Sequence, residues 1–184
     1  MPRCLSITSI ASNDIFKQYN IAKSSKKISS MTVSKSEDIN SLALYEQDYY
    51  LWLENTAQLL RDGKLSELDL PNLIEEIEDM GRSEKRAVRS NLIRILQHLL
   101  KWKYQPEKRS DSWLSTIVEH RQRIILAFED SPSLKGYYLE VFDKCYQDAR
   151  KNAATETRLP LQAFPNQSPF TVEDTINPDY LPDD

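Results

Sequence analysis

Three polar residues recur at seven-residue steps along one segment of the chain: Glu84, Asn91 and His98. Seven residues is nearly two helical turns, so on a helix all three fall on one stripe. That stripe is otherwise apolar, running through Ile77, Val88, Ile95 and Trp102. On a later segment Arg121 interrupts Ile117, Ile124 and Phe128 in the same way. Polar groups on faces expected to be buried need partners, because each one left unpaired costs about 1–3 kcal/mol. The simplest solution is an internal network in which Arg121 meets Glu84 or an acid of the run from Glu75 to Asp79. Lining of a binding site and catalysis are the sharper alternatives.

Metal chemistry has one opening. Glu75, Glu78 and Asp79 are hard oxygen donors that suit a cation such as Mg²⁺. A metal-assisted nuclease would need them beside a basic phosphate-binding surface. Lys101, Lys103, Lys108 and Arg109, interleaved with Trp102, Tyr104 and Trp113, form a weak signature of that kind. The plainer reading solvates the acids and the lysines and lets the aromatics plug the end of a bundle. A di-iron bundle requires Glu three residues before His, and Ile95 stands there instead. Cys145 lies in an apolar stripe between Phe142 and Ala149, where a thiol lacks the base and the electropositive setting of a nucleophile. His120, beside Glu119 and near Arg121 and Arg123, reads as a surface residue. Two cysteines and two histidines exclude a disulfide framework, a cysteine zinc site and a histidine metal centre. No catalytic set is recognisable, and no resident metal or cofactor is expected.

The net charge of −4 over 184 residues hides strong sorting. Residues 37–79 carry a net −10, residues 80–123 a net +7 and residues 140–184 a net −5. Acidic and basic helices that face each other within one bundle would neutralise this pattern; a basic face for nucleic acid or for an acidic partner is the sharper reading. The sequence pI near 5.3 weighs against a dedicated nucleic-acid binder. Three glycines leave no room for glycine-rich phosphate loops. No apolar run approaches the roughly 20 residues of a membrane span. These features together predict a soluble, cytoplasmic, helical protein.

The elements that must position these residues can be read from spacing. A first helix is expected from about Leu44 to Asp62, with Tyr45, Tyr49, Trp52, Leu53, Ala57 and Leu60 as its core stripe and Gly63 as its stop. Asp69 and Pro71 suit the start of a second helix. Its apolar face runs through Leu73, Ile74, Ile77, Met80, Val88, Leu92, Ile95, Leu96, Leu99 and Trp102. Unbroken, it reaches about Lys103; Gly81 is its weak point and a place for a kink or a close neighbour. Ser110 caps a third helix from about Asp111 to Asp130, with Leu114, Ile117, Val118, Ile124, Ile125 and Phe128 as its apolar face. The fourth follows Pro132 and ends near Thr157, with Leu134, Tyr138, Val141, Phe142, Cys145, Ala149 and Ala153 inward. Five of the nine prolines fall after Leu159. This tail (residues 159–184) also carries Phe164, Phe170, Ile176, Tyr180 and Leu181, which predicts that it docks along the bundle, with Thr171 capping one short turn. Residues 1–40 are basic and serine-rich without apolar periodicity, the texture of a disordered extension. Met31 stands directly before the first domain-like sequence and is the expected true start.

Several strings along the folded part are distinctive. They are Tyr45-Glu46-Gln47-Asp48-Tyr49-Tyr50 with Trp52, Leu60-Arg61-Asp62-Gly63, and Leu73-Ile74-Glu75-Glu76-Ile77-Glu78-Asp79-Met80-Gly81. His98-Leu99-Leu100-Lys101-Trp102 with Gln105-Pro106 follows, then Gln122-Arg123, Asp130-Ser131-Pro132-Ser133-Leu134, Ala149-Arg150 and Phe164-Pro165. In these strings, from about Leu44 to Pro182, the chain resembles a bacterial family abundant in cyanobacteria, domain of unknown function 29. Ser168-Pro169 stands where that family often has Cys-Pro, so a thiol role does not carry over. The resemblance implies a small all-helical fold and no particular activity.

The expected protein is therefore an all-α bundle of about four helices with a long second helix and a docked Pro-rich tail, residues 41–184 forming one domain. Its expected role is a non-enzymatic interaction module that binds another protein or itself, without a membrane. The alternative is a nucleic-acid-associated protein or metal-assisted nuclease.

Overall fold

The computed structural model describes residues 41–183, and all of its regular elements are helical. The expected extension (residues 1–40) and the start at Met31 lie outside the described residues. The chain divides into two units, residues 1–52 and 53–184. The described part of the first holds α1 (Ser41–Gln47) and the opening turn of α2 (Tyr49–Arg61). The single helix expected here is interrupted at Asp48, whose carboxylate accepts the Leu51 N–H at 3.0 Å as a cap does. Tyr45, Tyr49 and Trp52 form one aromatic cluster, with ring centroids 5.0–5.9 Å apart. Trp52 is buried, but Tyr49, Leu53 and Leu60 are exposed, so the stripe expected to be core is mostly open.

Gly63 ends α2 with φ +70°, a conformation that only glycine adopts without strain. Its N–H reaches the Leu60 carbonyl at 3.2 Å and the Lys64 N–H reaches that of Leu59 at 3.0 Å, the paired bonds of a Schellman stop.

The long helix α3 runs from Leu70 to Tyr104 without a break. Asp69 caps it by accepting from Asn72, and Pro71 occupies its first turn, where no N–H is needed. Gly81 does not interrupt it. Gln105 precedes Pro106 and closes it. Ser110 caps α4 (Asp111–Asp130), and α5 (Leu134–Thr157) follows a three-residue turn. Both pack along α3 and touch each other much less. Val88, Leu92, Ile95, Leu96, Leu99 and Leu100 of α3 meet Ile117, Ile124 and Phe128 of α4 and the expected face of α5. The edge-to-face pair of Phe128 with Tyr138 ties α4 to α5, and Tyr138 packs edge-to-face on Phe142 along α5 itself.

The cleft between α4 and α5 is filled by the tail. Phe164 and Phe170 are buried in the core, with Val172, Ile176, Tyr180 and Leu181 packed against it. Thr171 opens the short α6 (Val172–Ile176) through a capping box with Asp174. Irregular backbone cannot satisfy its own carbonyls, so the bundle supplies donors. Arg150 donates to the carbonyls of Phe164 and Leu161, Tyr146 to that of Pro165 at 2.7 Å, and Tyr138 to that of Val172 at 3.0 Å. Burial pushes the Tyr146 phenol up to about 12 and raises that of Tyr138 further, so both stay protonated donors.

The N-terminal half of α3 departs from expectation. Ile74, Ile77 and Met80, read as core from their spacing, are exposed by half to two-thirds, as is Leu70 at the helix start, while Leu73 is partly buried.

Candidate functional site

The stripe of Glu84, Asn91 and His98 exists on α3, but its three members meet three different fates. Glu84 is exposed and belongs to no buried network. Asn91 donates to the Ala87 carbonyl at 2.8 Å and accepts from His120 Nδ1 at 2.6 Å. His120 is therefore a half-buried partner of α3 and not the surface residue expected. His98 is buried and its Nδ1–H donates to the Arg94 carbonyl at 2.9 Å.

Arg121 is buried, yet neither Glu84 nor the acids of residues 75–79 reach it. Its Nε donates to the Thr175 carbonyl at 2.9 Å and its Nη2 to the Asp174 carbonyl at 3.2 Å. Burial lowers its pKa from the usual guanidinium value, a shift opposed by Tyr138, Tyr180 and Asp174. It remains a cation, held by the carbonyl ends of α6 peptides, where helix dipoles favour positive charge.

The basic, aromatic turn is directed inward. Lys101 is buried, pairs with Glu156 at 2.8 Å and lies 4.3 Å from the centre of the Trp113 ring. Arg109 donates to the Trp102 carbonyl at 2.9 Å and stacks over the same residue's ring. Lys103 donates to the Asp183 carbonyl. Lys108 is exposed. Of these cation–ring and cation–carbonyl contacts, those of Lys101 are buried, that of Arg109 is partly buried and that of Lys103 is exposed.

Around Lys101 lies a polar cluster that spacing did not reveal: Arg94, Gln97 and His98 of α3 with Glu156 of α5. Burial would raise the Glu156 carboxyl, but the hydrogen bond and charge of Lys101, joined by Gln97 and His98, hold it below its ordinary range. His98 is lowered first by burial and then by the Lys101 charge. An open groove of about 410 Å³ borders the cluster, lined by Arg94, Gln97, Asn152, Thr155 and Glu156 among others. A signal for Glu156 was present: it continues the face of Phe142, Cys145, Ala149 and Ala153 at helical spacing. The Cys145 thiol, pushed up to about 11 by burial, stays protonated in the core.

Glu75 is exposed, while Glu78 and Asp79 both turn to Arg82, at 3.1 and 2.6 Å. Among the described residues no three His, Cys, Asp or Glu side chains are placed to hold a metal ion. Leu70, Ile74, Ile77 and Met80 form an uncovered stripe on the same part of the helix. Arg89, farther along, pairs with Asp148 of α5 at 2.9 Å.

Among the described residues no helix is long and apolar enough to cross a membrane. No curated protein and no solved structure matches the chain. A family model does match, over residues 44–181, and its description is Domain of unknown function DUF29. With that span covering most of its length, the chain belongs to the DUF29 family.

Proposed function

We propose that this chain is a non-enzymatic protein-interaction module of the cytoplasm, and that its contact face is the N-terminal half of α3. One observation carries the reading. The same helix buries Val88, Leu92, Ile95, Leu96, Leu99 and Leu100, yet leaves Leu70, Ile74, Ile77 and Met80 open to solvent. Those side chains are not needed to close the bundle, and an apolar stripe on a formed helix is a ready surface for another helix. The nucleic-acid reading has less support, because Lys101, Lys103 and Arg109 are engaged within the chain and Lys108 alone of that set is exposed.

The test is affinity capture of the tagged chain from native cells, with and without nuclease, beside the double variant Ile74→Asp/Ile77→Asp. The expected result is bound protein that survives nuclease and is lost from the variant. Nuclease-sensitive material that the variant still retains would overturn the reading in favour of nucleic acid.

A further inference from the structure

We infer that the partner on this face is a second copy of the same chain, the two α3 helices crossing antiparallel near Gly81. The inference rests on the interaction reading above and identifies its occupant. Three features of the helix support it.

The first is charge. Residues 75–79 hold four acids and no base, and residues 82–89 hold four bases and one acid. The two turns lie on either side of Gly81. An antiparallel crossing on the apolar face brings Glu78, at the edge of that face, toward Lys85 of the other copy, twice over. Glu75, Asp79 and Arg86 lie across the helix from this edge, and Arg82 and Arg89 pair with Glu78, Asp79 and Asp148 in their own chain. A parallel pairing would stack acid on acid and base on base. A pattern that reverses sign about one point is what a two-fold, self-complementary contact requires.

The second is the seam. Leu70, Ile74, Ile77, Gly81, Glu84 and Val88 follow the alternating four- and three-residue steps of a helix–helix seam. Its lower part is consumed by the bundle, since Val88 is buried. Its upper part has the large side chains of a packing surface and no cover.

The third is Gly81 itself. It sits inside a 35-residue helix, where glycine weakens the helix relative to alanine. Nothing lies within 4 Å of the point where its Cβ would stand, so no neighbour in its own chain calls for a glycine. At the crossing point of two helices, the missing side chain lets the backbones approach closely.

The experiment is the solution mass of the full chain by light scattering over a dilution series. The expected mass is twice the 21.4 kDa of one chain. Ile77→Asp should reduce it to that of one chain while helical content and Tm at high dilution stay unchanged. Glu78→Lys should also shift the mass toward single chains, and adding Lys85→Glu to that same chain should restore the pair. A single-chain mass at every concentration overturns the second-copy inference, and the capture experiment then decides the broader interaction reading separately. A doubled mass that survives Ile77→Asp, or a charge reversal that the compensating substitution does not restore, overturns it as well.

Discussion

The two halves of α3 share one helix, one apolar periodicity and one run of backbone hydrogen bonds, and differ in what covers them. From Val88 to Leu100 the apolar positions are buried against α4 and α5, Ile93 only partly. From Leu70 to Met80 the corresponding positions are half to two-thirds exposed. Periodicity states which face of a helix is apolar. It does not state whether the cover comes from the same chain. The difference also separates two fates of one apolar stripe: from Val88 onward it holds the fold together, and before it the side chains stay open to solvent.

The largest effect that would sharpen this comparison comes from matched truncations. Leu96→Ala in the buried half should destabilise the chain by about 2–5 kcal/mol, the range for a cavity in a closed core. Ile77→Ala, measured at high dilution, should stay within about 0.5 kcal/mol of the parent, as a surface substitution does. Urea unfolding of both reads the contrast directly; equal losses would show that the two halves are covered alike.

Next in size is the anchor of the tail. Arg121→Met keeps much of the apolar stem but removes the donors to the Asp174 and Thr175 carbonyls. A loss of about 1.5–3 kcal/mol is expected for hydrogen bonds from a charged group, together with faster protease cleavage within residues 159–183. Unchanged stability and cleavage would mean that apolar packing of Phe164 and Phe170 alone retains the tail.

The smallest effect is a pH dependence confined to the buried half. His98 is lowered by burial and then by Lys101 and Arg94, against the Arg94 carbonyl and Glu156; His120 is lowered by burial and then by Arg123 and Arg94, against Glu119. Neutral rings are thus the folded form. Above the ordinary histidine value of about 6.5, folded and unfolded chains both carry neutral rings and this contribution to stability is fully present. As pH falls below it, the unfolded chain takes up protons first and stability declines. The double variant His98→Gln/His120→Gln should flatten the Tm profile between pH 6.5 and the onset of carboxylate protonation. A profile that keeps the parent slope would assign the dependence to other groups.

How far the sequence could be read depends on the range of the interaction. Caps and stops act within a few residues, and Asp69, Ser110, Thr171 and Gly63 stand where their chemistry indicates. The inward face of α5, the docking of the tail and most of the inward face of α4 were also legible, because large apolar residues at helical spacing have few alternatives; Val118, expected on that face of α4, is exposed. Arg121 was correctly read as buried and given the wrong partner. The reasoning matched charge with charge, whereas its acceptors are backbone carbonyls, which every residue possesses and no residue type advertises. His120 was misplaced for a related reason: its partner Asn91 lies across a helix–helix contact 29 positions away. The cluster of Arg94, Gln97, Lys101 and Glu156 was missed because it lies at the edge of two apolar faces, where either solvent or a neighbouring helix would suit a polar group.

The side-chain donors that hold the tail carry a consequence for how the protein is made. Arg121 and Arg150 emerge during synthesis well before the carbonyls at Leu161, Phe164, Asp174 and Thr175 that receive them. Until those residues appear, both guanidinium groups must stay hydrated, and the cleft between α4 and α5 must stay open to water. During synthesis the contacts of the tail can therefore form only after both guanidinium groups have been made. A nascent chain halted before residue 161 would display an open, cationic cleft and remain a substrate for chaperones or proteases, so completion of the fold reports completion of the message through the tail.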